Sequence, residues 1–190
     1  MKIFVVALII LFSACKHSPK TSVEKPNEPD KTEIVENFFP VTNYLKGQIA
    51  ELKSDGINPL ILTTNGSKVD STWLKVDSFN LAFKEFLSPL IDTSNLKSFF
   101  KETRFLDQSI PAYTWTYSPI SALPDSINLQ QWDVYVNPET NKVERIFIKK
   151  TAPGNIQLQL TWVAKEYAKI VSIKDNNIIE KDITIKWRFD

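Results

Sequence analysis

The sequence predicts an α+β domain in which an antiparallel meander of about five to seven strands packs against two helices. Apolar residues recur at spacings of three and four in the first half of the chain, and they alternate with polar residues in the second half. Short turns separate the alternating segments, so sequential strands are antiparallel neighbours. Because one face of such a sheet is strongly apolar, the two helices are expected to cover it.

The two helices are predicted from apolar stripes and from residues that begin or end helices. The first spans about residues 40–54, where the stripe ends just before Gly56. The second begins near Asp77, whose side chain can cap it. Its stripe comprises Phe79, Ala82, Phe83, Phe86, Leu87 and Leu90. Both helices lie in the N-terminal half of the domain.

The strands are predicted from alternation and from turn residues. Residues 60–64 and 72–76 flank Asn65 and Gly66, a dipeptide favoured in hairpin turns, so they form a hairpin. The later strands fall at residues 113–117, 132–136, 143–150, 156–162, 167–174 and 182–189. Asparagine, proline and glycine residues separate several of them, as expected of tight turns.

The N-terminal segment has the plan of a secretory signal peptide. One lysine precedes ten consecutive apolar residues, 3–12, which are too few for a helix that spans a bilayer. The residues Phe12-Ser13-Ala14-Cys15 resemble the lipobox of bacterial lipoproteins. The resemblance implies that residues 1–14 are removed and that Cys15 is acylated. It also implies a lipid-anchored protein of the cell envelope, and Lys16 favours the outer membrane, facing the periplasm.

The segment after the lipobox is predicted to be a tether. Residues 15–33 contain three prolines, many charges and little apolar surface to bury, so the globular domain comprises residues 34–190. Removal of Lys2 with the signal reduces the 23 Lys+Arg to match the 22 Asp+Glu. A balanced surface gives no reason to expect nucleic acid as a partner. The expected contact with the membrane is through the N-terminal lipid.

The residue inventory limits the chemistry of the domain. The only histidine is His17 and the only cysteine is Cys15, so the domain lacks Ser-His and Cys-His nucleophile systems and metal sites that use those ligands. The sequence therefore predicts no catalytic residue, no cofactor and no metal site. Carboxylates such as Glu102, Asp107 and Asp133 are the remaining option, and ordinary surface roles are favoured for all three.

Five aromatic residues are the candidate ligand-binding residues, because rings on one strand face can stack on sugars or line an apolar pocket. They are Tyr113, Trp115, Tyr117, Trp132 and Trp162. The same alternation is typical of a β core, which is the favoured interpretation. Apart from the lipobox, no motif resembles a characterised family.

The sequence thus favours a non-enzymatic binding or assembly module with a protein partner or an apolar ligand. A polysaccharide hydrolase that uses two carboxylates and an inhibitor or immunity-type protein are the alternatives.

Overall fold

The computed structural model describes residues 37–107, 109–174 and 177–189. The predicted signal peptide, Cys15, the tether and the start of the globular domain at residue 34 lie outside these residues. Among the described residues, no helix is long and apolar enough to cross a bilayer.

The described chain contains one long helix, several helical turns and nine strands. The helical elements are α1 (Val41–Ser54), a 3-10 turn (Val76–Ser78), α2 (Phe79–Ala82), α3 (Lys84–Leu87) and α4 (Thr93–Leu96). The strands are β1 (Leu60–Asn65), β2 (Lys68–Trp73), β3 (Phe100–Asp107), β4 (Ala112–Pro119), β5 (Leu129–Val136), β6 (Val143–Ala152), β7 (Ile156–Val163), β8 (Tyr167–Lys174) and β9 (Ile178–Lys186).

All nine strands form one open antiparallel sheet in the order β2-β1-β9-β8-β7-β6-β5-β4-β3. The predicted α+β class and the meander are confirmed, but the predicted strand count of five to seven is wrong. The β1–β2 hairpin does not stand apart, because β1 pairs with β9 and extends the sheet. The sheet also contains β3, which the sequence does not predict. Strand β3 lies at the edge opposite β2, and most of its residues are exposed, so its sequence does not alternate clearly between apolar and polar residues.

The two faces of the sheet differ in what they contact. One face, here called the inner face, packs against the helices in a continuous core. Trp132 of β5 contacts Phe38, which precedes α1, and Trp162 of β7 contacts Phe83 and Phe86 of the α2–α3 region. The alternate residues of each strand form the outer face, which is more polar. The predicted helical cover of one face is therefore present.

The second predicted helix is replaced by short segments. The 3-10 turn, α2 and α3 follow one another, and the helix is interrupted at Phe83, whose φ and ψ are −99° and 6°. The Phe86 N–H donates to the Phe83 carbonyl at 3.0 Å, an i→i+3 bond that tightens the turn. This tighter turn accompanies full burial of Phe79, Phe83 and Phe86. The helical spacing therefore identified buried positions but not a continuous helix.

A buried lysine ties these helical turns to the sheet. Lys150 of β6 lies on the inner face and is only 3% exposed. Its Nζ atom donates to the carbonyls of Glu85 at 2.7 Å and Ser88 at 2.6 Å, and it lies 2.8 Å from Glu85 Oε2. The ammonium group thus donates to two backbone carbonyls at the end of α3 and forms an ion pair with the Glu85 carboxylate.

Candidate ligand-binding site

Three of the five candidate aromatic residues lie in the core. Tyr117, Trp132 and Trp162 are fully buried. Tyr117 stacks on Trp132 with ring centroids 4.5 Å apart, and its hydroxyl accepts a hydrogen bond from the Phe39 N–H at 3.0 Å. Burial, followed by the hydrogen bond with Glu102, raises the pKa of Tyr117. These rings therefore pack against protein rather than present a face to solvent.

The other two candidate rings lie near the β3 edge. Tyr113 is 44% exposed. The Trp115 ring is half-buried between Phe39, 5.9 Å away, and the Arg104 guanidinium, 4.9 Å from its centroid. The structure does not gather the five candidates into one cleft.

The candidate carboxylates are separated by the sheet. The Glu102 residue is paired with Tyr117 on the inner face, whereas Asp133 alternates with the buried Trp132 and Val134 positions and lies on the outer face. Asp107 accepts hydrogen bonds from the Ser109 hydroxyl at 2.6 Å and N–H at 2.9 Å. These two bonds lower the pKa of Asp107. Glu102 and Asp133 therefore do not form a catalytic pair.

A row of cross-strand neighbours, here called the outer rung, crosses the outer face through all nine strands. With strands spaced by about 4.8 Å, the row extends roughly 38 Å. Rings and aliphatic side chains share it with two cations, and no member is acidic. In sheet order from β3 to β2 the rung is Phe105, Thr114, Tyr135, Arg145, Val163, Tyr167, Lys186, Leu60 and Trp73.

A groove of about 1100 Å³ adjoins the middle of the outer rung. Rung residues Tyr135, Arg145, Val163 and Tyr167 contribute to its lining. Its other lining residues include two rings next to or within α1, and charged residues of both signs. These are Phe39, Tyr44, Glu51, Lys142, Glu144, Lys165 and Glu166.

Local hydrogen bonds hold the β5–β6 turn at the groove. The Asn137 side-chain oxygen accepts from the N–H groups of Glu139 and Thr140, both at 2.9 Å. The amide nitrogen of the same side chain donates to Glu144 Oε1 at 2.7 Å. Asn141 adopts a φ of 54°, a left-handed conformation that asparagine tolerates better than most residues. The turn is therefore ordered by its own sequence, as the asparagine-rich segment predicts.

The rung itself carries two cations and no acidic residue, whereas the adjoining groove is lined by three basic and three acidic residues. The Arg145 guanidinium lies 5.5 Å from the centroid of the Tyr135 ring. No ion pair joins Arg145 or Lys186 to a carboxylate within the described parts of the chain. Burial, followed by the nearby Asp133 charge, raises the pKa of Tyr135, so this phenol stays neutral near pH 7. The rung thus offers two basic hydrogen-bond donors beside aromatic rings.

Asp133 is on the outer face of the sheet, but its side chain is buried. It is 5% exposed, and its cross-strand neighbours are Thr116 and Phe147. Gln131 Nε2 lies 3.2 and 3.1 Å from its two carboxylate oxygens. Burial raises the pKa of Asp133, although hydrogen bonds from Thr116 and Gln131 oppose this shift. The interpretation of Asp133 as an ordinary solvated carboxylate is therefore wrong.

Asp133→Asn is expected to gain stability relative to the wild type as pH rises from below 3.8, the ordinary carboxyl value, to neutrality. With a raised folded-state pKa, the folded protein binds more protons than the unfolded chain in this window, so wild-type stability falls there. Asparagine removes that loss. Urea unfolding of both proteins at the two ends of the window measures the difference. If the free energy of unfolding of Asp133→Asn relative to the wild type stays constant or decreases as pH rises, the raised pKa of Asp133 is contradicted.

The outer rung could not be predicted from the sequence, because its nine residues belong to nine separate strands. Alternation places Tyr135 and Tyr167 on polar strand faces, which is the signal that was available. Only the strand register aligns them with Arg145 between them. Among the described residues, no group of three or more His, Cys, Asp or Glu side chains is placed to hold a metal ion.

Comparisons of this chain with protein families, with curated proteins and with solved structures find no match.

Proposed function

We propose that this protein is a membrane-tethered binding module that holds an extended acidic saccharide chain along the outer rung without cleaving it. The observation that carries the proposal is the rung itself, in which Tyr135, Tyr167 and Trp73 share one line with Arg145 and Lys186. The lipobox supports anchoring in the cell envelope through Cys15, with the outer membrane as the proposed location.

The chemistry of the rung matches that of a sugar polymer. A sugar ring has an apolar face that can stack on an aromatic side chain, and hydroxyl groups around its rim. Guanidinium and ammonium groups add charge-assisted hydrogen bonds to carboxylate or phosphate substituents. A ligand that spans several strands gains from each contact in turn. A linear acidic saccharide therefore fits the row better than a compact neutral molecule does.

The packed interior counts against a carrier of apolar ligands. Such a carrier needs an apolar cavity, and the space between sheet and helices is the natural place for it. Near β5 that space contains the stacked rings of Tyr117 and Trp132. Near β7, Trp162 lies 5.5 Å from Phe83 and 5.7 Å from Phe86, measured between ring centroids. Side chains fill both regions, so a surface site is the better proposal.

Binding is tested by calorimetry on the full chain with a hexamer of galacturonic acid. We expect Tyr167→Ala and Tyr135→Ala each to weaken binding by about fivefold or more. A nucleic-acid base stacked on an aromatic side chain contributes roughly 1–3 kcal/mol, and we take the same scale for a sugar face. Arg145→Ala should also weaken binding and reduce its dependence on salt.

The matched control for this experiment is Tyr113→Ala. Tyr113 is an exposed ring that pairs with Val136 outside the rung, and its loss should leave binding unchanged. A neutral glucose hexamer with β-1,4 links should bind more weakly than the acidic one. Absence of binding, or an equal loss in Tyr113→Ala, would contradict the proposed site.

A polysaccharide hydrolase is the second candidate, because three glutamates line the same groove. Glu51, Glu144 and Glu166 supply the residue type that glycoside cleavage uses in pairs. Mass spectrometry of the acidic hexamer after long incubation with the protein distinguishes the candidates. A binding module leaves it intact. Cleavage that disappears in Glu144→Gln or Glu166→Gln would establish the hydrolase instead.

A further inference from the structure

The β2 strand is an open edge of the sheet. It pairs with β1 on one side, and all six of its residues are exposed. Two of them are large apolar residues on the outer face, Val69 at 67% and Trp73 at 61% exposure. An exposed edge with apolar side chains is a template for pairing with another strand.

The hairpin geometry shows which β2 backbone groups point away from β1. Residues 66 and 67 form the turn, so the flanking Asn65–Lys68 pair exchanges both of its hydrogen bonds. The alternation of the ladder then directs the backbone groups of Val69, Ser71 and Trp73 away from β1. The Ser71 N–H is accordingly bonded to the Asp70 side chain at 2.8 Å rather than to β1.

We propose that β2 pairs with β2 of a second copy of this chain about a two-fold axis at Ser71. The two sheets then continue as one antiparallel sheet. Each Val69 lies opposite Trp73 of the other copy, and the two Ser71 residues face each other. This assembly does not require the proposed saccharide site. It uses surface outside the groove and shares only Trp73 with the outer rung.

The sequence of β2 selects this register over its neighbours. An axis at Ser71 uses all three residues whose backbone groups point away from β1 and sets the apolar Val69 against the apolar Trp73. The Ser71 N–H exchanges its bond to the Asp70 side chain for one across the axis. An axis at Asp70 would place the two Asp70 carboxylates directly opposite each other, which is destabilising. With the axis at Ser71, Asp70 faces the hydroxyl of Thr72 instead. The strand is therefore complementary to its own two-fold copy.

Disulfide trapping tests the register. Ser71→Cys in the full chain with Cys15→Ser leaves one thiol, which lies on the proposed axis. A hydrogen-bonded antiparallel pair has Cα atoms about 5.5 Å apart, within disulfide range. We expect oxidation to yield a covalent dimer in high proportion. Val69→Cys in the same background is the control, because Val69 is also exposed and on the same face.

The control thiols cannot meet in this register. The two Val69 positions would be offset by four residues along the strands, roughly 13 Å, beyond the range of a disulfide. Equal trapping of both variants would show random collision and overturn the register. Absence of trapping in Ser71→Cys would overturn the pairing itself.

Sedimentation of the chain without engineered cysteines provides a second measurement. We expect a monomer–dimer equilibrium that Ser71→Pro shifts to monomer, because proline removes a backbone N–H on the free side of an edge strand. Circular dichroism checks that this variant keeps the sheet. A protein that stays monomeric at all concentrations, or a dimer that Ser71→Pro leaves unchanged, would contradict the proposal.

Discussion

Replacing Trp132 with alanine is expected to lower the free energy of unfolding by about 3–5 kcal/mol, the usual cost of removing a large buried ring. Trp132 is fully buried, and its ring centroid lies 4.5 Å from that of Tyr117 and 4.8 Å from that of Phe100. Alanine would leave a cavity on the inner face, beside Tyr117 and Phe100. Urea unfolding followed by circular dichroism measures the loss.

Two variants separate the packing effect from the loss of a tryptophan as such. Trp132→Phe should cost less than alanine, because it keeps a ring and removes an indole N–H that has no hydrogen-bond partner among the residues that the structure describes. Trp73→Ala removes a largely exposed ring and should change the monomer's free energy of unfolding by about 0.5 kcal/mol or less. Similar losses for Trp132→Ala and Trp73→Ala would show that Trp132 does not anchor the core.

Lys150→Met is expected to lower the free energy of unfolding by about 2–3 kcal/mol. Methionine keeps much of the apolar stem but removes the ammonium group that donates to the Glu85 and Ser88 carbonyls. Both carbonyls then lose a charged donor in a partly buried contact. The remaining Glu85 carboxylate is partly exposed, so water still solvates it and limits the total cost. Urea unfolding at neutral pH measures the effect.

Lys149→Met is the matched control for Lys150→Met. Lys149 is the adjacent residue of β6 and lies on the outer face, half-buried, and no ion pair or hydrogen bond to its ammonium group occurs in the described parts of the chain. Its replacement should change the free energy of unfolding by about 0.5 kcal/mol or less. A loss as large as that of Lys150→Met would mean that charge or strand propensity, and not the bond to α3, determines the effect.

The sequence predicts those elements whose residues repeat with one period. Helix α1 begins and ends within one residue of its predicted bounds, because its apolar stripe covers one face and Gly56 follows it. The β1–β2 hairpin lies where Asn65 and Gly66 predict one, and Gly66 adopts a left-handed φ of 56°. The turn is shifted by one residue to 66 and 67, and the second strand is Lys68–Trp73 rather than residues 72–76. The pairing of β1 with β9 joins strands that are far apart in the sequence, and the local spacing of residues does not indicate it. The number of strands in the sheet could therefore not be predicted.

The candidate site could be predicted only in part, for a related reason. Alternation groups Tyr113, Trp115 and Tyr117 on one strand face, but packing decides which of the three is covered. Tyr117 is buried beneath Phe38 at a centroid distance of 5.0 Å, whereas Tyr113 lies near the β3 edge and is exposed. The rung residues Tyr135 and Tyr167 belong to strands separated by β6 and β7, so only the register aligns them.

The most direct test of the proposed function is to map the ligand onto the outer rung by NMR. Amide chemical shifts of the full chain in detergent are recorded during titration with the galacturonic acid hexamer. We expect the largest changes at Tyr135, Arg145 and Tyr167, with saturation as the ligand is added. Spectra that stay unchanged, or changes that concentrate on the inner-face helices and leave these three residues unaffected, would contradict a saccharide site on the outer rung.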